Sequence, residues 1–119
     1  MATIPSAKMP DANIQFQRTR WPAMAVGDVG DPISLVDFQD RSVQITGTFG
    51  AGGSAVVEGS NDDGATWATL SDAQGVALIF SISGLRQITE ISHLIRPRVS
   101  GGDGTTSLNA ILLKRGSRP

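Results

Sequence analysis

His93 is the only histidine of the chain and directly follows Ser92. A catalytic triad needs a base held between a nucleophile and an orienting acid, and adjacent residues of a strand project to opposite faces. His93 is therefore read as a packing or hydrogen-bonding residue at a sheet margin. One histidine without any cysteine also makes a poor zinc site. Glu58, Asp62 and Asp63 supply carboxylates, but a glycosidase pair must face across a cleft about 5–10 Å wide. Asp62 and Asp63 sit instead in a turn-forming run, and with no tyrosine and only Trp21 and Trp67 there is little to stack on a sugar. Asn61, Asp63 and Gly64 suggest the start of a calcium loop, whose distal bidentate glutamate is missing. Gly50-x-Gly52-x-x-Ala55 satisfies a dinucleotide-loop pattern that works only when a helix N-terminus follows; here the strand-like Ala55-Val56-Val57-Glu58 follows. Arg96, Arg98, Lys114 and Arg115 would form a basic patch if the last two strands pair. Single-stranded nucleic acid would want aromatics between them, so an acidic protein surface or solvent is the expected neighbour. The expectation is a protein that is not an enzyme, with no catalytic residue, no metal and no cofactor.

These side chains must be positioned by short extended elements. Ser60-Asn61-Asp62-Asp63-Gly64-Ala65-Thr66-Trp67 lies between the apolar runs 55–57 and 67–70. Asp and Gly there make a tight reversal, because Asp bonds nearby backbone amides and Gly supplies positive φ. Thr66 and Trp67 are expected to start the next strand and lay an indole over the base of the turn. The order S-x-D-x-G-x-T-W, carried by Ser60, Asp62, Gly64, Thr66 and Trp67, resembles an Asp-box, the hairpin of sialidases and other β-proteins. That resemblance implies a structural hairpin away from any catalytic centre.

Residues 1–13 carry Pro5 and Pro10 and no apolar period, which predicts an extended N-terminal arm, ordered in a free monomer only if something pins it. Residues 14–119 are expected to form the body. Strand candidates follow at 14–20, 33–38, 42–49, 54–59, 67–70, 76–82, 85–91, 93–99 and 106–113, with a short helical turn an equal fit at 89–95. Pro22 is expected to break or bend the first ladder, and Pro97 to lie near an edge or bulge. Residues 76–82 are apolar on both faces, as in a central strand. Roughly seven to nine short strands with turns between them predict an all-β fold, a single antiparallel β-sandwich or flattened jelly-roll-like barrel.

A chain of 119 residues makes one domain that buries about two-thirds of its unfolded surface. The formal net charge of −1 gives no reason to expect nucleic acid. Charge is nonetheless uneven. From residue 21 to 83, eight acids oppose Arg41 alone; afterwards Arg86, Arg96, Arg98, Lys114, Arg115 and Arg118 oppose Glu90 and Asp103. That polarity suits head-to-tail contact between copies or docking on a charged assembly, with solvated loops as the alternative. No secretory signal is seen, and no apolar run approaches the ~20 residues of a membrane span. A protein made in a cytoplasm, without membrane contact, is expected.

Taken together, residues 42–50 ("SVQITGTFG"), 57–70 ("VEGSNDDGATW"), 75–83 ("GVALIF"), 95–104 ("IRPRVSGGDGTT") and the last apolar strand resemble small structural proteins of tailed bacteriophages. The resemblance covers roughly residues 27–115. It implies a virion protein on the capsid surface, a decoration (cement) protein bound to the major capsid protein and stabilising the head. A homo-oligomer (dimer or trimer) is implied on that lattice. A tail or head–tail component, or a glycan-binding module on the virion, is the alternative. The candidate partner interface is Ile4, Pro5, Met9 and Pro10 of the arm, Trp21 and Met24 beside it, and Arg96 and Arg98. Trp21 is read equally well as core.

Overall fold

A computed structural model describes residues 2–9, 16–34 and 40–115. The described residues hold twelve strands: β1 (Thr3–Ile4), β2 (Ala7–Lys8), β3 (Phe16–Met24), β4 (Val29–Gly30), β5 (Ile33–Ser34), β6 (Asp40–Thr48), β7 (Ser54–Ser60), β8 (Ala68–Thr69), β9 (Ile79–Phe80), β10 (Gly84–Gln87), β11 (Leu94–Gly101) and β12 (Ser107–Arg115). One sheet runs β1-β4-β11-β7-β8, with β5 also on β11 and β9 also on β7; the other runs β10-β6-β12-β3-β2. Only β1–β4 is parallel among these pairings. The all-β sandwich expected from the strand rhythm is the fold observed. No helix occurs among the described residues, so none there is long and apolar enough to cross a membrane.

Alternation sets what faces the core. Val43 and Ile45 of β6 point inward with Leu108, Ala110 and Leu112 of β12, against Ala55 and Val57 of β7 and Ile95 and Val99 of β11. Strict alternation would turn Trp21 and Met24 to opposite faces of β3. Both are nevertheless 1 % exposed, because the β3–β12 register slips between Leu108 and Ala110. The extra residue falls in Pro22-Ala23, where Ala23 takes φ 53° and the Asn109 side chain accepts from its amide at 3.0 Å. Pro22 bends the ladder as its missing N–H requires.

Pro97 sits in β11, an internal strand rather than an edge. Its partner on one side is interrupted: β4 ends at Gly30, β5 begins at Ile33, and Asp31-Pro32 lies between. The gap removes the need for a proline N–H, and the ring packs where Gly30 leaves room.

The first residues are laid across both layers. Thr3 and Ile4 pair with Val29 and Gly30 of one sheet, Ala7 and Lys8 with Arg20 and Thr19 of the other. Asp28 fastens the start, its carboxylate accepting from the Ala2 and Ala25 amides at 3.0 and 2.8 Å. Residues 10–13, like the strand candidates at 14–15 and 35–38, lie outside the described residues.

Two expectations are corrected. The run 76–82 is not a central strand; Ile79 and Phe80 pair on β7, Ala77 makes a lone antiparallel bridge to Ser71, and Val76 and Ile82 are exposed while Leu78 and Phe80 are buried. The last two long strands do not pair either. β11 and β12 belong to different sheets, so Arg96 and Arg98 are separated from Lys114 and Arg115.

Candidate functional site: the box hairpin and its groove

The hairpin forms where the sequence places it, with β7 and β8 pairing through Glu58 to Thr69 and Gly59 to Ala68. The strand begins at Ala68, after Thr66 and Trp67, because those two residues finish the turn. The Asp62 Oδ1 accepts from Ser60 Oγ at 2.7 Å and from the Thr66 amide at 3.0 Å, while Oδ2 accepts from the Thr66 hydroxyl. Ser60 Oγ in turn accepts from the Gly64 amide at 2.9 Å. These donors, the Thr66 side chain first, hold the Asp62 carboxyl down at about 2, well below its ordinary value. Asp63 takes φ 60° and Gly64 φ 89°, the left-handed pair that turns the chain. Trp67 Nε1 donates to the Gly64 carbonyl at 3.1 Å, so the indole closes the base of the turn.

A cation layer lies behind the indole. The Arg96 guanidinium stacks 4.1 Å from the Trp67 ring centroid, and its Nε donates to Glu58 Oε1 at 3.0 Å. Arg98 Nε donates to the other Glu58 oxygen at 3.1 Å. Glu58 is buried under these two arginines. Arg96 and Arg98 are therefore committed within the chain, one to a carboxylate and a ring, the other to the same carboxylate.

In front of the hairpin is an open groove of about 460 Å³, walled by the box on one side and Glu90, Ile91 and Ser92 on the other. Glu90 accepts from the Ser71 amide at 2.7 Å and from the Ser71 hydroxyl, which lowers its pKa. Among the described residues no lysine or arginine lines the groove. Two carboxylates of depressed pKa and no lining cation make it a poor host for phosphate or other anions. It suits hydroxyl donors, with Ile91 and Trp67 offering apolar surface.

The remaining candidates are dispersed. His93 is exposed; its amide donates to Asn61 Oδ1 at 2.7 Å and its Nε2 lies 3.6 Å from Asp63 Oδ1. Ser92 Oγ donates to the Leu94 carbonyl, turned away from His93. Glu58, Asp62 and Asp63 share no cleft: Glu58 is under the arginines and Asp63 faces solvent. Gly50 and Gly52 lead into β7, a strand, as expected. Among the described residues no three His, Cys, Asp or Glu side chains gather to hold a metal. Of the proposed interface, Ile4 packs partly on the core and Pro5 is exposed, whereas Trp21 and Met24 are wholly buried. Trp21 Nε1 donates to the Asp31 carbonyl at 2.9 Å, so Trp21 is core and neither side chain is offered to a partner. Pro10 lies outside the described residues.

Lys114, expected in an outward basic patch, and Arg41, given no role by the sequence, are instead buried on the inner face, where they oppose each other across β6 and β12. Their in-phase positions with Val43 and Leu112 were the available signal. Lys114 Nζ donates to the Ser34 carbonyl at 3.2 Å. Among the described residues Arg41 Nε and Nη1 have no hydrogen-bond partner, and burial pushes its pKa down against the pull of Asp40 and Glu90.

Fold and site together define a two-sheet β-sandwich protein with a β7–β8 hairpin closed by Ser60, Asp62, Gly64, Thr66 and Trp67. No family model matches the chain, and no curated protein matches it. Among solved structures it is similar to the SPBc2 prophage-derived protein YomS, with a TM-score of 0.60 and 12 % identity, covering 87 % of this chain and 99 % of that one. At that identity the likeness shows the shared fold.

Proposed function

We propose that the chain is a structural protein of a tailed-phage virion, and specifically a capsid decoration protein that binds the major capsid protein lattice and stabilises the head. The observation that carries this reading is the similarity of fold to a prophage-derived protein over nearly that protein's whole length. The N-terminal strands support it. β1 and β2 are held by two-residue pairings, one on each sheet, together with the Ala2–Asp28 bond and the partly buried Ile4, contacts few enough to be exchanged for others on a shell. Many such contacts in a symmetric array gain by avidity, so each can be modest. Co-sedimentation with expanded capsid shells tests the reading, using the full chain and a variant lacking residues 1–13. Saturable binding at a fixed ratio to the shell protein, weakened by the deletion, is expected. Failure of the intact chain to bind would overturn the decoration role and favour a tail or head–tail component.

The groove favours a second reading, a glycan-binding module. Its acceptor-rich, cation-free lining beside Trp67 suits a neutral saccharide. Trp21 is buried, so a saturable change in indole emission on titration with neutral oligosaccharides would report Trp67. Unchanged emission across the series removes this reading.

A further inference from the structure

Four of the strongly exposed large aliphatic side chains crowd into one short stretch: Val76 at 55 %, Ile79 at 51 %, Ile82 at 75 % and Leu85 at 66 %. They flank a single margin of the sandwich. Ile79 is on β9 and Leu85 on β10, with Val76 and Ile82 in the flanking turns. Arg86 ties the margin together. Its guanidinium donates to Asp72 Oδ2 at 2.7 Å and to the carbonyls of Val76, Ala77 and Ile79, and lies 5.2 Å from the Phe80 ring centroid.

β10 ends its sheet, pairing with β6 alone among the described strands. Edge strands are ordinarily guarded by an outward lysine, a proline or a bulge. β10 has none of these, since its one charge, Arg86, is folded back onto Asp72. Residues 73–85 contain no charged side chain, and the bounding Asp72 and Arg86 neutralise each other.

By register Leu85 faces outward from the second sheet with Gln44, and Ile79 outward from the first with Val56. Ile82 and Leu85, beside the β10 edge, present on the order of 250 Å², about a third of one partner's share of a standard interface. The strand edge and the turns beside it can contribute the rest. An uncharged patch meets its own copy without like-charge repulsion, a condition that a self-contact imposes and a contact with a different partner does not. An antiparallel strand laid against itself also offers matching donors and acceptors across a two-fold axis. We propose that β10 pairs with β10 of a second copy of this chain, extending the β10–β6–β12–β3 sheet across the dimer, with Ile82 and Leu85 closing over the seam.

Sedimentation velocity on the full chain over a hundredfold concentration range tests this without any shell. A dimer is expected. Leu85→Lys and Ile82→Lys, both at exposed positions, are expected to weaken it at least tenfold while circular dichroism and Tm stay those of the parent. The chain has no cysteine, so Leu85→Cys is expected to give a disulfide-linked dimer on mild oxidation, whereas Ala7→Cys, exposed on β2 at the opposite edge of the same sheet, is not. A parent that stays monomeric throughout, or a dimer that survives both lysine substitutions, would overturn the proposal. A monomeric parent whose shell binding is lost in the lysine variants would also overturn it and make the patch a shell contact.

Discussion

Replacing Gly30 by alanine tests how tightly the N-terminal strands are seated on the body. A Cβ at Gly30 would lie 2.5 Å from Pro97 Cδ, 2.7 Å from Pro97 Cγ and 2.9 Å from Trp21 Cδ1. Carbon–carbon contacts are comfortable at about 3.5 Å and beyond, so something must withdraw by about 1 Å. Pro97 is fixed in the middle of β11, and Trp21 is buried with its Nε1 bonded to the Asp31 carbonyl. β4 is the element that yields, and it carries β1 with it. Overpacking of this kind costs about 1–3 kcal/mol, a fall in Tm of roughly 3–15 °C for a domain of this size. Two other glycines separate space from backbone. Gly104 has no atom within 4 Å of its virtual Cβ and no positive φ, so Gly104→Ala is expected within about 0.5 kcal/mol of the parent. Gly75 is equally open but has φ 78°, so Gly75→Ala should cost about 1–2 kcal/mol from the backbone alone. Urea and thermal unfolding give the energies, and hydrogen exchange reads the Val29 and Asp31 amides, which donate to the Ala2 and Ile4 carbonyls. Equal stability of Gly30→Ala and Gly104→Ala, or a destabilised Gly30→Ala with unchanged exchange at Val29 and Asp31, would refute this.

Other outcomes follow from the same geometry. The Asp62 carboxyl titrates at about 2 when folded and near 3.9 when unfolded, so its contribution is complete above about pH 4 and is lost as pH falls toward 2. The stability gap between the parent and Asp62→Asn should therefore be full at pH 6 and shrink between pH 4 and 2; a pH-independent gap in Tm would contradict the bonding described. Arg41 is 3 % exposed with two unpartnered nitrogens, so Arg41→Met is expected to be neutral or to stabilise by up to about 3 kcal/mol in urea titrations. A clear loss of stability would mean that the guanidinium is better satisfied than its geometry indicates. Glu58→Gln removes the charge shared by Arg96 and Arg98 and should cost about 1–3 kcal/mol, read by chemical denaturation. A loss below about 0.3 kcal/mol would make the pair a screened surface contact.

The hairpin was the most legible part of the chain because its information is local: each of Ser60, Asp62, Gly64, Thr66 and Trp67 acts within the turn. β6, β11 and β12 each alternate a buried face with a more exposed one, which makes such strands legible, whereas β7 is buried on both faces and was legible from its apolar run after Gly53. Residues 76–82 were not, because alternating aliphatics on both faces look alike whether neighbouring strands or solvent cover them. Trp21 and Met24 were obscured by the bulge at Pro22-Ala23, which changes the phase of β3. The supposed basic patch failed at long range. Arg98 and Lys114 are close in sequence, but the loop after Gly101 carries the chain from one sheet to the other, and pattern alone does not reveal such a crossing. The groove beside Trp67 depends on Glu90 and Ile91 meeting the box, a tertiary fact without a local signature.

The pairing of β3 with β12, Phe16 opposite Arg115, also governs when the molecule can come into being. Its central partners are the first long strand and the last among the described residues, so a chain emerging from a ribosome holds β3 with only its two-residue pairing to β2 until β12 has been made. Joining segments so far apart incurs the loop-closure entropy before the contacts that offset it, and sandwiches dominated by such pairings fold in milliseconds to seconds. Until then the second sheet, which helps bury Leu78 and Phe80, is incomplete. The half-made chain is thus the state most exposed to aggregation, and high-level expression at low temperature, or with a holdase chaperone, should raise the soluble yield more than any change to the finished surface.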